Sequence, residues 1–94
     1  MPRPKAKVES SLLAKGFEKR QGDHNYFVYV TTDGKITTVK TKTSHTKKMK
    51  DIGENLLSQM AKQCYLNKSN LLNLIDCPLS QEEYENILHN QGLI

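Results

Sequence analysis

Apolar residues first recur at helical spacing at Val8, Leu12 and Leu13. That spacing predicts a short helix from Val8 to about Lys15, with Gly16 as its natural stop. Phe17 follows directly and is placed to pack back on the helix. From here the period changes to two. Phe17–Gln21 reads as a short polar strand ending at Gly22-Asp23, and His24–Thr32 as a second strand built on Tyr26, Phe27, Val28, Tyr29 and Val30. Alternation puts His24, Tyr26, Val28 and Val30 on one face, and Asn25, Phe27, Tyr29 and Thr31 on the other. Both faces are substantial, which predicts a central strand. Asp33-Gly34 is the strongest hairpin signal in the chain. The antiparallel return strand runs from Lys35 to about Thr43, with Ile36, Thr38 and Lys40 on one face and Thr37, Val39 and Thr41 on the other. A turn at Asp33-Gly34 brings His24 near Thr43, about one pair from His45.

Helical spacing returns in the second half. Asp51 with Glu54 three residues on has the spacing of a capping box. The helix it opens runs to about Leu66, with Ile52, Leu56, Leu57, Met60, Ala61 and Cys64 on a broad apolar face read as core. Ser69 is placed to cap a short helix through Leu71, Leu72, Leu74 and Ile75. Ser80-Gln81-Glu82-Glu83 is a full capping box with Leu79 as the staple residue before it. Tyr84, Ile87 and Leu88 give that last helix its apolar face, and Gly92 ends it. The expected fold class is α+β, a small α-β-β-β-α unit with an additional C-terminal helix or helices. Residues 67–94 could extend the core or shield the sheet.

Composition narrows the function classes. With 94 residues, one domain spanning 1–94 is expected, its first six residues flexible. Leu, Ile, Val and Phe make up 22 of the 94, enough for a lean core. The length excludes a Rossmann unit or a TIM barrel. No apolar run approaches the roughly 20 residues that span a bilayer, and no secretory signal pattern opens the chain. A cytoplasmic protein without membrane contact is the expectation. Net charge is +4, unevenly spread. Residues 1–50 hold twelve Lys and Arg against four acids, whereas residues 51–94 hold two against six. A basic half folded into one domain makes a patch that concentrates polyanions. Cys64 and Cys77 have no metal-ligand spacing and read as structural thiols, and no cofactor or metal motif is present.

Candidate chemistry therefore falls to histidine. His24 enters the central strand beside Lys, Arg and aromatic residues, and His45 follows the return strand toward the same end of the sheet. An imidazole titrates near neutrality and can take a proton from a ribose 2′-hydroxyl or give one to a leaving oxygen. RNA carries the nucleophile for its own cleavage, so neither a deep pocket nor a metal is required. His24 is the candidate acid or base. His45 is a second acid or base, or a phosphate contact. Lys19, Arg20, Lys40, Lys42, Lys47 and Lys48 are the candidate RNA contacts.

Leu12-Leu13-Ala14-Lys15-Gly16-Phe17, Gly22-Asp23-His24, the strand pair to Val39, and His45 followed by Lys50-Asp51-Ile52-Gly53 resemble the HicA mRNA interferase toxins of toxin–antitoxin systems. The resemblance covers roughly residues 8–66. It implies a fold like the double-stranded RNA-binding domain, endoribonuclease activity on mRNA, and a HicB-like antitoxin as partner. It also implies that His24 is catalytic, with His45 near the family's second histidine. Asp23 stands where the family has Ser, which puts a carboxylate where the phosphate approaches. Such a carboxylate either raises the basicity of His24 or repels substrate. Two other functions remain open: a non-catalytic RNA-binding module of the same fold, and a protein–protein adaptor, including a homo-oligomer, that uses the two-sided strand.

Overall fold

The computed structural model describes residues 2–44, 50–76 and 78–94. Three strands pair antiparallel in chain order: β2 (Phe17–Gln21), β3 (Asn25–Val30) and β4 (Ile36–Thr43). Two short strands, β1 (Arg3–Pro4) and β5 (Asp51–Ile52), make a separate ladder. The helices are α1 (Lys5–Ala14), α2 (Glu54–Gln63), α3 (Lys68–Asp76) and α4 (Gln81–Asn90). Alternation along the sheet decides what each face does. Phe17, Phe27, Tyr29 and Val39 are buried under the helices. Tyr26, Val28 and Val30 are half-buried on the opposite face, where Ile36, Lys40 and Lys42 are exposed. The order α1-β2-β3-β4-α2 matches the topology of the double-stranded RNA-binding domain, extended by α3 and α4. This is the expected α+β class.

The hairpin differs from a two-residue turn. Thr31 N donates to Lys35 O, and Gly34 N to Thr31 O, each at 2.9 Å. Gly34 takes a φ of +89°, so the loop has three residues, a tight turn followed by a left-handed glycine. Val30 then opposes Ile36, whereas farther along Asn25 opposes Thr43. The ladder shifts between Val28 and Val30, where β4 contributes extra residues. Thr37 Oγ1 donates to Tyr29 O at 2.7 Å and accepts from Val39 N at 3.1 Å, bridging the irregularity. The division of residues between the faces is the expected one, with Asn25, Phe27 and Tyr29 turned inward, but the cross-strand partners move by one. Thr43 faces Asn25 instead of His24, and His24 lies just before β3 rather than in it.

Long-range pairing also moves two helix starts. Arg3–Pro4, in the segment expected to be flexible, pair with Asp51–Ile52, and Lys5 N donates to Lys50 O at 2.7 Å. The helix α1 accordingly begins at Lys5, ahead of Val8. Asp51 is drawn into the ladder and caps nothing. Gly53 is the N-cap of α2, with no side-chain cap. That helix stops at Gln63 rather than near Leu66 because Tyr65 turns left-handed (φ 60°) and Leu66 N bonds back to Ala61 O at 2.8 Å. Asn67, not Ser69, caps α3, its Oδ1 accepting from Asn70 N at 2.7 Å. The Ser80–Glu83 box on α4 is present in both directions, at 3.0 and 3.1 Å.

Residues 67–94 extend the core and leave the outer sheet face bare. Leu71, Leu74, Ile75, Tyr84 and Leu88 are buried to within 1% of full coverage. Tyr84 stacks on Phe17 at 5.7 Å between ring centres and meets Tyr29 edge-on at 5.1 Å. Its hydroxyl donates to Cys64 O at 2.9 Å. Burial pushes the Cys64 thiol up to about 12, consistent with an unreactive structural cysteine. Cys77 lies outside the described residues.

Two contacts between α4 and the sheet give testable consequences. Gly16 sits at φ +100°, and an added Cβ would press on the end of the Gln81 side chain and lie 3.0 Å from Tyr29 Cε1. The backbone conformation demands glycine, and the added carbon would also displace the Gln81 side chain. Gly16→Ala is expected to cost about 2 kcal/mol, read from urea unfolding. A change below about 0.5 kcal/mol, the usual scale of an ordinary surface substitution, would contradict the packing.

Glu85 accepts from Tyr29 Oη at 2.7 Å and from Thr32 N at 2.9 Å and Thr32 Oγ1 at 3.1 Å. The bond from Tyr29, reinforced by those from Thr32, holds its carboxyl below the usual range. A carboxylate depressed on folding stabilises the fold above the unfolded pKa, roughly 4.3, and that stability is lost as pH falls through the folded value. Glu85→Gln is therefore expected to lower stability at neutral pH and to flatten its decline on acidification. Parallel pH profiles for the two proteins would contradict this.

Candidate functional site

The bend at Gly22-Asp23-His24 precedes β3 and places His24 at one end of the sheet. Its ring lies edge-on to Tyr26, 6.2 Å between centres. Nδ1 is buried and makes no hydrogen bond among the described residues. The nearest carboxylate oxygen, Asp23 Oδ2, is 3.8 Å away, beyond hydrogen-bond length. The side chain as a whole is 40% exposed, so the ring is open on the edge away from Nδ1. Asp23 is held from the other side, where Tyr26 Oη donates to Asp23 Oδ1 at 2.8 Å. That bond, aided by the charges of His24 and Lys42, keeps the Asp23 carboxyl below its ordinary range. The same bond raises the Tyr26 phenol.

A groove of about 150 Å³ opens beside the imidazole. Lys42, Thr43 and Ser44 wall it on the β4 side together with His24, and Ile52, Leu56, Gln59, Met60 and Gln63 on the other. The groove lies between residues 42–44 on the β4 side and one stripe of α2. Thr41 Oγ1 ties the two elements by donating to Gln63 Oε1 at 2.7 Å.

The other sequence candidates divide. Lys40 and Lys42 project from the outer face, and the Lys40 amine lies 5.9 Å from the centre of the Tyr26 ring. Arg20 opposes Tyr26 on that face and pairs with Glu18 at 2.9 Å. Lys19 opposes Phe27, so it lies at the exposed margin of the helix-covered side and does not join the others. His45, Lys47 and Lys48 lie outside the described residues. Pattern reading assigned Leu56 to the core, but it is 39% exposed in the groove. Sequence reading also missed Gln59 and Gln63 as site residues. Leu56, Gln59, Met60 and Gln63 lie at helical spacing on one stripe, a signal hidden by the expectation that such a stripe is wholly apolar.

No family model, curated protein or solved structure matches this chain. Among the described residues, no group of three His, Cys, Asp or Glu side chains could hold a metal ion. Among them, too, no helix is long and apolar enough to cross a membrane.

Proposed function

We propose that the chain is a HicA-like endoribonuclease that cleaves mRNA without a metal ion, with His24 Nε2 as general acid or base. The observation that carries this is a partly exposed imidazole lining a groove, with its Nδ1 buried and 3.8 Å from the Asp23 carboxylate. A histidine so placed can exchange protons with a substrate from its open edge. RNA brings its own nucleophile, the 2′-hydroxyl, so the protein need only position a phosphate and move protons. Lys42, which lines the same groove, is set to offset charge on that phosphate. The order α1-β2-β3-β4-α2 agrees with the resemblance to the interferase toxins. In this reading the protein acts in the cytoplasm, and a HicB-like antitoxin covers the groove or the bare sheet face.

A second reading, RNA binding without cleavage, is favoured by one observation: the carboxylate of Asp23 remains ionised beside the imidazole and opposes an incoming phosphate. Both readings require phosphate contacts, and these release counterions. Affinity for an unstructured RNA is expected to fall steeply with salt. Lys42→Ala should lower the magnitude of the log–log slope by about 1. A flat slope for the wild-type protein would remove both readings.

A further inference from the structure

We propose that the groove between β4 and α2 is a nucleobase subsite, in which Leu56 supports one face of an unpaired base and the Gln59 and Gln63 amides meet its edge. The proposal rests on the RNA reading above and deepens it by naming what lies next to the phosphate at His24. Ile52 and Met60, 2% and 3% exposed, and the 39% exposed Leu56 give the groove its apolar lining. Leu56 precedes Gln59 and Gln63 on one stripe of α2, and a ring covering it would take apolar surface out of water. Gln63 Oε1 is engaged by Thr41, which fixes the amide and leaves its NH₂ to donate. Gln59 is exposed on the neighbouring turn.

The groove is polarised between its two walls. Lys42 and His24 stand at the sheet end, and the amides and apolar floor line the α2 side. A nucleotide has the same polarity: an anionic phosphate at one end, and at the other a flat ring with hydrogen-bonding edges. An acidic peptide would satisfy Lys42 and the floor but give the amides nothing planar to read. The base must be unpaired, since a duplex hides its edge and keeps its faces stacked. Seating it here also fixes the adjoining ribose, and hence its 2′-hydroxyl, against Nε2.

The test compares a short single strand carrying 2′-fluoro in place of each 2′-hydroxyl, which cannot be cleaved, with an otherwise identical oligomer of abasic residues, by fluorescence anisotropy in EDTA at low salt. The wild-type protein is expected to bind the base-bearing oligomer about 5- to 10-fold more tightly. Leu56→Ala should lose most of that preference while its salt slope stays unchanged, because the phosphate contacts remain. Leu56 is partly exposed, so the variant should fold, and Gln59→Ala, at a fully surface position, gives a second readout in the same direction. Equal wild-type affinity for the two oligomers, or a preference untouched in both variants, would overturn the subsite and leave the RNA reading standing. Failure of the wild-type protein to bind either oligomer would remove the RNA reading and the subsite together.

Discussion

His24→Ala is expected to lower the rate of RNA cleavage by at least about 100-fold, the scale of a lost general acid or base. The protein should remain folded. His24 lies outside the ladder, is partly exposed, and holds a buried Nδ1 that pairs with nothing among the described residues. Removing it takes away an unsatisfied polar atom rather than a core contact, so stability should change by less than about 1 kcal/mol. The comparison is a single-turnover rate on unstructured RNA for both proteins, with circular dichroism and urea unfolding on the same samples. Undiminished cleavage by a folded His24→Ala protein would place the chemistry elsewhere.

Asp23 Oδ1 accepts from Tyr26 Oη at 2.8 Å, and its Oδ2 stands 3.8 Å from His24 Nδ1, too far to hydrogen-bond it.

The largest expected stability effect lies at the opposite end of the molecule. Tyr84→Ala should cost about 3–5 kcal/mol, because it empties a fully covered site between Phe17, Tyr29 and the end of α2. A domain of this size has about 5–15 kcal/mol in all, so the variant should be marginal at physiological temperature. Tyr84→Phe should lose only about 1 kcal/mol, the net value of the bond to Cys64 O. Urea unfolding of the three proteins separates the terms. A Tyr84→Ala cost under about 1 kcal/mol would mean that α4 does not pack on the sheet as described, since a core aromatic truncation cannot be that mild. For the same reason removal of residues 67–94 is expected to prevent folding, although the topology of the double-stranded RNA-binding domain is complete without them.

Local pattern carried most of the fold. Alternation through Tyr26–Val30 and Val39–Thr43 divided the residues between the two faces as observed but left open which face is buried, and the Ser80–Glu83 box was visible because all its atoms lie within one turn. What failed was decided by residues far apart in sequence. Asp51 has the spacing of a cap, but its backbone is taken by Pro4, a partner 47 positions away. The hairpin register shifted because Thr37 spans an irregularity that no pair of neighbouring residues announces. The site was half legible. His24 stood out by chemistry and by its glycine-containing approach, whereas Leu56, Gln59 and Gln63 gain significance only from the groove between β4 and α2. Lys19 was grouped with Arg20 by charge, yet a period of two sends neighbours to opposite faces.

The most direct test of a histidine-driven, metal-independent ribonuclease is one cleavage assay in EDTA. Purified wild-type protein is given a long unstructured RNA and, in parallel, the same sequence as DNA, which lacks the 2′-hydroxyl nucleophile and carries a 5-methyl group on each thymine. Cutting of the RNA alone, abolished in His24→Ala, is the predicted result. An intact RNA at stoichiometric protein, or equal cutting of both strands, would contradict it.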